Sequence, residues 1–110
     1  MLYISAQDFY EKTKDHQRLS REDEKQLAEK MKNGDDVARQ ALIDSYTPMV
    51  AAVCKHMKPQ YQSLELIYRC MSALEKAVDR FDFLQDCETF THHLSWVLRQ
   101  TTTRYMVDKP

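Results

Sequence analysis

The sequence predicts an all-α protein folded as a compact bundle of four to five helices. Its 110 residues include one glycine and three prolines, too few turn residues for the many connections of a β-protein. Apolar side chains recur every three to four residues, the spacing that places them on one face of a helix. With 43% hydrophobic and 30% charged residues, the composition is that of an ordinary globular domain.

The first two helices are predicted from their caps and apolar contacts. The first runs from Ser5 to about Lys14, with Phe9 and Tyr10 facing the core. The second follows Ser20, a good N-cap, and has acidic residues in its first turn. It ends at Asn33-Gly34. Its expected buried stripe is Leu27, Ala28 and Met31.

Two longer helical patterns occupy the middle of the chain. The first starts at Asp35 or Asp36 and has apolar positions at Val37, Ala38, Ala41, Leu42, Tyr46, Met49, Val50, Val53 and Met57. Pro48 removes the amide that would bond the carbonyl of Asp44, so we expect a kink or two abutting helices there. The second pattern runs from about Ser63 to Arg80, with expected buried positions at Leu66, Ile67, Cys70, Leu74, Ala77, Val78 and Phe81.

The last helix begins near Thr89, after the loop "DFLQDCE", and has two different faces. Because a helix turns about 100° per residue, one stripe combines an aromatic, a cation, an amide and a hydroxyl. These residues are Trp96, Arg99, Gln100 and Thr103. The opposite, mostly apolar stripe comprises Phe90, Leu94, Val97, Leu98 and Thr101. We expect the apolar stripe to pack on the core and the polar stripe to face a partner.

The charge distribution limits where a nucleic acid can bind. The formal net charge of −1 gives no overall attraction to DNA. The loop before the last helix is acidic, with Asp82, Asp86 and Glu88. Beyond Thr89, basic side chains outnumber acidic ones. Any DNA contact is therefore expected to be local to the last helix.

Several other functional classes find little support in the sequence. The possible metal ligands Cys54, His56, His92 and His93 are spaced so that neighbouring pairs diverge on a helix, and we expect no metal or cofactor. Cys54 and Cys70 lie on apolar faces and are predicted to be buried free thiols. No nucleophile–base pair or phosphate loop indicates an enzyme. No apolar run approaches the ~20 residues of a membrane span, and Met1–Tyr10 lacks a signal pattern, so we expect a cytoplasmic location.

Three blocks of the sequence, in order, resemble the sigma-70 family of bacterial transcription initiation factors. "LSREDEKQLAEKMKNGDDVARQALIDSYTPMV" resembles the entry to the family's conserved helical domain. "LELIYRCMSALEKAVDRFD" resembles the helix that docks on core RNA polymerase, and "FTHHLSWVLRQTTTR" resembles the helix that reads the minus-ten promoter element. The match implies a sigma-like domain over residues 19–107, with residues 1–18 as an N-terminal helical extension.

The resemblance implies that the last helix contacts double-stranded promoter DNA. Gln100 and Thr103 correspond to residues that recognise the upstream edge of the minus-ten element, and an amide suits an adenine edge. Arg99 and Arg104 correspond to residues that contact the DNA backbone or nearby bases, where a guanidinium suits phosphate.

The sequence departs from the family at the positions that the resemblance assigns to promoter melting. Trp96 matches the first of two tryptophans that brace the fork between duplex and single strand, but the second is Val97, which the helix angles turn toward the core. His93 replaces the tyrosine that stacks on a flipped adenine, and imidazole offers less apolar area. The family's loop before this helix is basic and contains glycine, whereas the carboxylates here repel phosphate.

The polymerase-docking helix also departs from the family. Where the family has D-L-I-Q-E-G, this chain has "ELIYRC". The resemblance implies that Glu65, Tyr68 and Arg69 face a basic coiled coil of the largest polymerase subunit. Arg69 reverses an acidic contact, which against a basic partner costs about 2–5 kcal/mol. Either the polymerase has a compensating change, docking is weak, or the surface has another partner.

Two functional hypotheses follow from these features. In the first, a sigma-like domain binds core RNA polymerase through residues 65–75 and minus-ten promoter DNA through residues 96–104. In the second, a degenerate sigma-like module modulates polymerase or titrates an anti-sigma factor without binding DNA. The resemblance does not include the family's minus-thirty-five-reading domain, so we expect a partner chain to supply that contact or initiation to proceed without it. A third alternative is an unrelated structural module in which Trp96 covers a neighbouring helix and the arginines form surface ion pairs.

Overall fold

The computed structural model describes residues 3–109 and contains five α-helices, which confirms the all-α prediction. These are α1 (Ala6–Thr13), α2 (Arg21–Lys32), α3 (Asp36–Lys55), α4 (Leu64–Arg80) and α5 (Phe90–Asp108). A short 3-10 turn, Pro59–Tyr61, follows α3. No strand occurs within the described range. None of its helices combines the length and apolar character needed to cross a bilayer.

Each α-helix begins at a side chain that accepts a hydrogen bond from an amide in the first turn. The five capping residues are Ser5, Ser20, Asp35, Ser63 and Thr89. Such caps satisfy amides that have no acceptor within the helix. The sequence predicted the cap at Ser20 and a cap at either Asp35 or Asp36, and the structure shows Asp35. Gly34 follows the end of α2 and has a φ of 90°, a backbone conformation that residues other than glycine rarely adopt.

The core forms around α3, against which α1, α2 and α4 pack, while α5 packs on α4. Phe9 of α1 lies fully buried in the same apolar cluster as the residues of the other helices. Residues 6–13 therefore share the core of the rest of the chain, and the boundary at residue 18 stays a prediction. The largest fully buried side chains of α3, α4 and α5 are Leu42, Ile43, Val50, Leu66, Ile67, Leu74, Val78, Phe90, Leu94 and Leu98.

The helix α3 continues through Pro48, so the alternative of two abutting helices is wrong. Proline removes one helical hydrogen bond and would leave the carbonyl of Asp44 unpaired. The hydroxyl of Thr47 instead donates to that carbonyl oxygen at 2.8 Å. This hydrogen bond satisfies the carbonyl group that Pro48 leaves without a helical amide.

Other positions also differ from the prediction, and Leu27, Met31 and Phe81, expected to be buried, are only half-buried. Val37, expected on the apolar face of α3, is 80% exposed because it lies in the first turn and its neighbour Ala38 takes the buried position. In α5 the buried threonine is Thr102, and Thr101 is only half-buried. Tyr105, which the sequence analysis missed, completes the buried face of α5, and its hydroxyl lies 2.7 Å from the Ser63 hydroxyl.

Candidate nucleic-acid interface

The outer face of α5 carries the polar stripe that the sequence predicted. The buried residues of this helix are Phe90, Leu94, Leu98, Thr102 and Tyr105, and they fix which way it faces. Trp96 is consequently 53% exposed, the other three members of the stripe are exposed as well, and so is the adjacent Arg104. We call this set the α5 ridge: Trp96, Arg99, Gln100, Thr103 and Arg104. The prediction of an exposed ridge backed by an apolar face is confirmed, and the roles of its residues stay predictions.

A shallow depression of about 360 Å³ lies along the α5 ridge. The guanidinium carbon of Arg99 is 5.9 Å from the centroid of the Trp96 ring, a cation–π distance that keeps the cation beside the indole. Val107, largely exposed, extends the ridge toward the end of α5. Val107 was not predicted as part of this face, although it follows Thr103 by one helical turn.

A groove between α4 and α5 borders the ridge and is lined by cations. One part, about 540 Å³, is lined by Arg69, Ser72, Ala73, Lys76, Gln100, Thr101 and Arg104. The other part, about 340 Å³, is lined by Ala73, Lys76, Ala77, Arg80, His93, Val97 and Gln100. We call the whole the α4–α5 groove. Within residues 3–109, neither Lys76 nor Arg80 forms an ion pair. Sequence reasoning missed both, although their spacing of four residues indicated a shared face.

His93 lies at the other end of the groove, against aromatic rings. Its imidazole is 5.1 Å from the Phe81 ring at an interplanar angle of 33°, and 6.1 Å from the Phe90 ring. His93 is half-buried, so its ring is held in place and still borders open space. Val97 also borders this space while packing against the core, as the helix angles predicted.

The acidic loop before α5 is attached to α2. The ammonium group of Lys25 is 2.8 Å from a carboxylate oxygen of Asp86, and this hydrogen bond holds the pKa of Asp86 below its usual value. Arg21 donates to the carbonyl oxygen of Gln85 at 3.1 Å. Part of the negative charge expected to repel a phosphate backbone is therefore compensated by α2.

A buried polar cluster lies behind the start of α5. The Tyr46 hydroxyl donates to a carboxylate oxygen of Glu24 at 2.5 Å and lies 3.1 Å from the hydroxyl of Thr91. Burial raises the pKa of Glu24, and burial with the Glu24 hydrogen bond raises the pKa of Tyr46 to about 12. In the sequence, Glu24 stands out only as an acidic first-turn residue, because local sequence does not show that Tyr46 covers it.

The three residues expected to dock polymerase lie in the first two turns of α4, and each contacts another segment. Glu65 accepts from Lys109 at 3.0 Å, and this hydrogen bond holds the pKa of Glu65 below its usual value. Arg69 lies 3.5 Å from Glu65 and 3.3 Å from Asp108. The Tyr68 hydroxyl is hydrogen-bonded to the backbone of Tyr3.

The cysteines and histidines do not assemble a metal site. Among the side chains of residues 3–109, no three metal-binding groups lie close enough together to hold an ion. Cys54 and Cys70 are buried free thiols, as predicted. A hydrogen bond with Cys70 and burial raise the pKa of the Cys54 thiol, which keeps it protonated and unreactive.

Comparison with known proteins gives two informative relatives. The RNA polymerase sigma factor SigA of Clostridium acetobutylicum is 35% identical over 92 residues, which cover 83% of this chain and 24% of that protein. SigA of a Bacillus species is 32% identical over 92 residues, with the same coverage of both chains. The chain thus spans about a quarter of the length of these curated relatives. No protein-family model matches it.

Proposed function

Because the chain carries a domain of the sigma-70 family of RNA polymerase sigma factors, we propose that it acts in transcription initiation. In this proposal α4 binds core RNA polymerase and α5 binds minus-ten promoter DNA. The observation that carries it is the α5 ridge. The side chains suited to DNA are all exposed on one face of α5, and the opposite face of the helix is buried in the core.

The α5 ridge offers groups for both base recognition and backbone contact. An α-helix fits the major groove of DNA. There a side-chain amide such as that of Gln100 can donate to N7 of an adenine and accept from its N6 amino group. Thr103, one turn further on, can contact a base or the thymine methyl group. Arg99 and Arg104 flank these two residues and are placed to contact phosphates.

The α4–α5 groove extends the positive surface beyond the α5 ridge. Lys76 and Arg80 lie one turn apart on α4 and border the same groove as Gln100. Because they have no ion-pair partner in the described part of the chain, their charges are available to a phosphate backbone. This local concentration of cations supports DNA binding by a chain whose net charge is −1.

Trp96 and His93 support a role at the single-stranded part of the promoter. Stacking of a base on an aromatic side chain contributes about 1–3 kcal/mol. Trp96 exposes about half of its surface, and His93 borders the groove. In this proposal the indole braces the end of the duplex, and the smaller imidazole stacks on an unpaired base more weakly than a tyrosine would.

Two carboxylates lie beside Arg69, so its charge opposes docking on a basic partner less than the sequence alone indicated. Arg69 shares its charge with Glu65 and Asp108, at 3.5 and 3.3 Å. The α4 face is therefore not the simple reversed charge that would repel a basic coiled coil. Glu65 and Tyr68 contribute an acidic and an aromatic side chain to the same face.

The test is fluorescence anisotropy with a labelled minus-ten promoter fragment. Gln100→Ala and Trp96→Ala should each weaken binding by about five- to 150-fold, the loss expected for one base contact or one stacked base. Gln40→Ala is the matched control, because Gln40 is an exposed glutamine on α3, away from the α5 ridge. Equal affinity of all four proteins would contradict DNA recognition by this ridge.

A second candidate is a sigma-like module that binds an anti-sigma factor and not DNA. The contacts that occupy Glu65, Tyr68 and Arg69 favour it, since they reduce what α4 offers to polymerase. A pull-down with core polymerase separates the two candidates. Capture of the wild-type chain supports the first, whereas capture of Arg69→Glu alone indicates that the docking face has been reassigned.

A further inference from the structure

The α4 residues expected to dock polymerase are hydrogen-bonded or ion-paired to two segments from elsewhere in the chain. One segment precedes α1 and contacts Tyr68 through Tyr3. The other is the end of α5, where Asp108 and Lys109 contact Arg69 and Glu65. We call these contacts together the α4 clasp. All three proposed docking side chains take part in it.

The contact with Tyr3 involves both of its main-chain polar groups. The Tyr68 hydroxyl accepts from the Tyr3 amide at 3.2 Å and donates to the Tyr3 carbonyl oxygen at 3.3 Å. The ring of Tyr3 packs edge-on against Phe9 at 4.9 Å, which anchors this segment to the core. The Ile4 amide donates to Asp8 at 3.0 Å, which fixes the chain as it enters α1.

The contact with the end of α5 is a row of alternating charges. Lys109 is 3.0 Å from Glu65, and Glu65 is 3.5 Å from Arg69. Arg69 is 3.3 Å from Asp108, which lies 3.9 Å from Arg104 on the α5 ridge. The row therefore joins the proposed docking face of α4 to the proposed DNA-binding face of α5.

We propose that the α4 clasp is an autoinhibitory contact that core polymerase must displace in order to dock. This inference rests on the proposed function, because it concerns regulation of the same α4 face. The ion pairs are solvent-exposed, so each is weak and can exchange for an intermolecular contact. A protein whose binding-competent form is only partly populated binds with an affinity reduced by that fraction. Opening the clasp therefore strengthens docking.

The experiment measures the dissociation constant of the full chain for core bacterial RNA polymerase without DNA. The variant Asp108→Asn/Lys109→Gln removes the α5 side of the clasp and leaves every α4 side chain intact. It should bind three- to tenfold more tightly than the wild type. The matched control is Glu11→Gln/Lys14→Gln, which also removes one acidic and one basic charge from an exposed pair, here 3.0 Å apart on and beside α1. This control should bind as the wild type does.

The possible outcomes separate the clasp from docking itself. If the wild type and Asp108→Asn/Lys109→Gln bind equally, the autoinhibitory role of the clasp is overturned while polymerase docking stands. Weaker binding of the variant also overturns it, because Asp108 and Lys109 would then belong to the contact surface. If neither protein binds core polymerase, the clasp and the docking role both fail. Circular dichroism of each variant establishes that it is folded.

Discussion

The Thr47 hydroxyl donates at 2.8 Å to the carbonyl oxygen of Asp44, the acceptor that Pro48 leaves without a helical amide. The Nδ1 of His16 lies 2.6 Å from the hydroxyl oxygen of Thr47. Because a hydroxyl has one proton, and Thr47 gives it to Asp44, His16 is the donor in this second contact. Thr47 thereby provides a donor for the backbone carbonyl beside Pro48. It also binds the segment between α1 and α2 to α3 through His16.

Thr47→Val should destabilise the fold through these two hydrogen bonds. Valine matches the shape of threonine but leaves the Asp44 carbonyl and His16 without their partner, and a buried unsatisfied group costs about 1–3 kcal/mol. Thr47→Ser retains the hydroxyl and should lose less. Urea unfolding of the three proteins measures the difference. Equal stabilities for Thr47→Val and Thr47→Ser would show that the hydroxyl has no such role.

Glu24 should make stability depend on pH. Burial raises the pKa of Glu24 above the 4.5 of a free carboxyl group. The folded state therefore holds this proton more tightly than the unfolded state. Its stabilising contribution is present below about pH 4.5 and is lost as pH rises through the higher, folded-state pKa.

Glu24→Gln removes this titration and can still accept from Tyr46. Relative to the wild type, it should gain stability as pH rises from 4 to 7, to be followed by urea unfolding at each pH. Glu22→Gln, an exposed change in the same helical turn, should leave the wild-type pH dependence in place. An identical pH profile for the wild type and Glu24→Gln would refute a buried, destabilising charge at this position.

The cations of the α4–α5 groove should set the salt dependence of DNA binding. Each phosphate contact contributes about 0.9 to the slope of log affinity against log salt for duplex DNA. Lys76→Gln and Arg80→Gln should each reduce that slope by about one and weaken binding to all sequences alike. Lys32→Gln, at an exposed position of α2, is the control. An unchanged slope would place the DNA backbone outside this groove.

Val97→Trp should strengthen binding to single-stranded DNA. Val97 borders the part of the groove that measures about 340 Å³, which leaves room for a larger side chain beside Ala73 and Ala77. A stacked base contributes about 1–3 kcal/mol, so the expected gain is at least fivefold. Val37→Trp introduces the same ring at an exposed site on α3 and controls for nonspecific binding of DNA to an exposed indole. An equal effect of both changes would contradict the prediction.

The helices and the two faces of α5 could be predicted because they depend on local sequence. Caps such as Ser20 act on amides within one turn, and the burial of Leu94 and Leu98 follows from helical spacing. The start of α3 was less predictable. Val37 shares that spacing but is exposed, since periodicity does not show how far a neighbouring element extends.

The contacts between elements could not be read from the sequence. Arg69 and Asp108 are 39 residues apart, and Tyr3 and Tyr68 are 65 apart, so their pairing depends on how the helices pack. The same holds for Lys76, whose place beside Gln100 follows from the packing of α5 on α4. The resemblance named single residues of the site, and the structure adds the groove and the α4 clasp.

Trp96 is the single tryptophan of the chain and lies half-exposed on the α5 ridge, so its emission reports directly on this surface. The decisive measurement is a titration of Trp96 fluorescence with the non-template strand of a minus-ten element. Stacking of a base on the indole predicts saturable quenching that a scrambled strand produces only at higher concentration. Emission unchanged up to about 10⁻⁴ M strand, the weak end of nonspecific binding, would contradict DNA recognition by the α5 ridge.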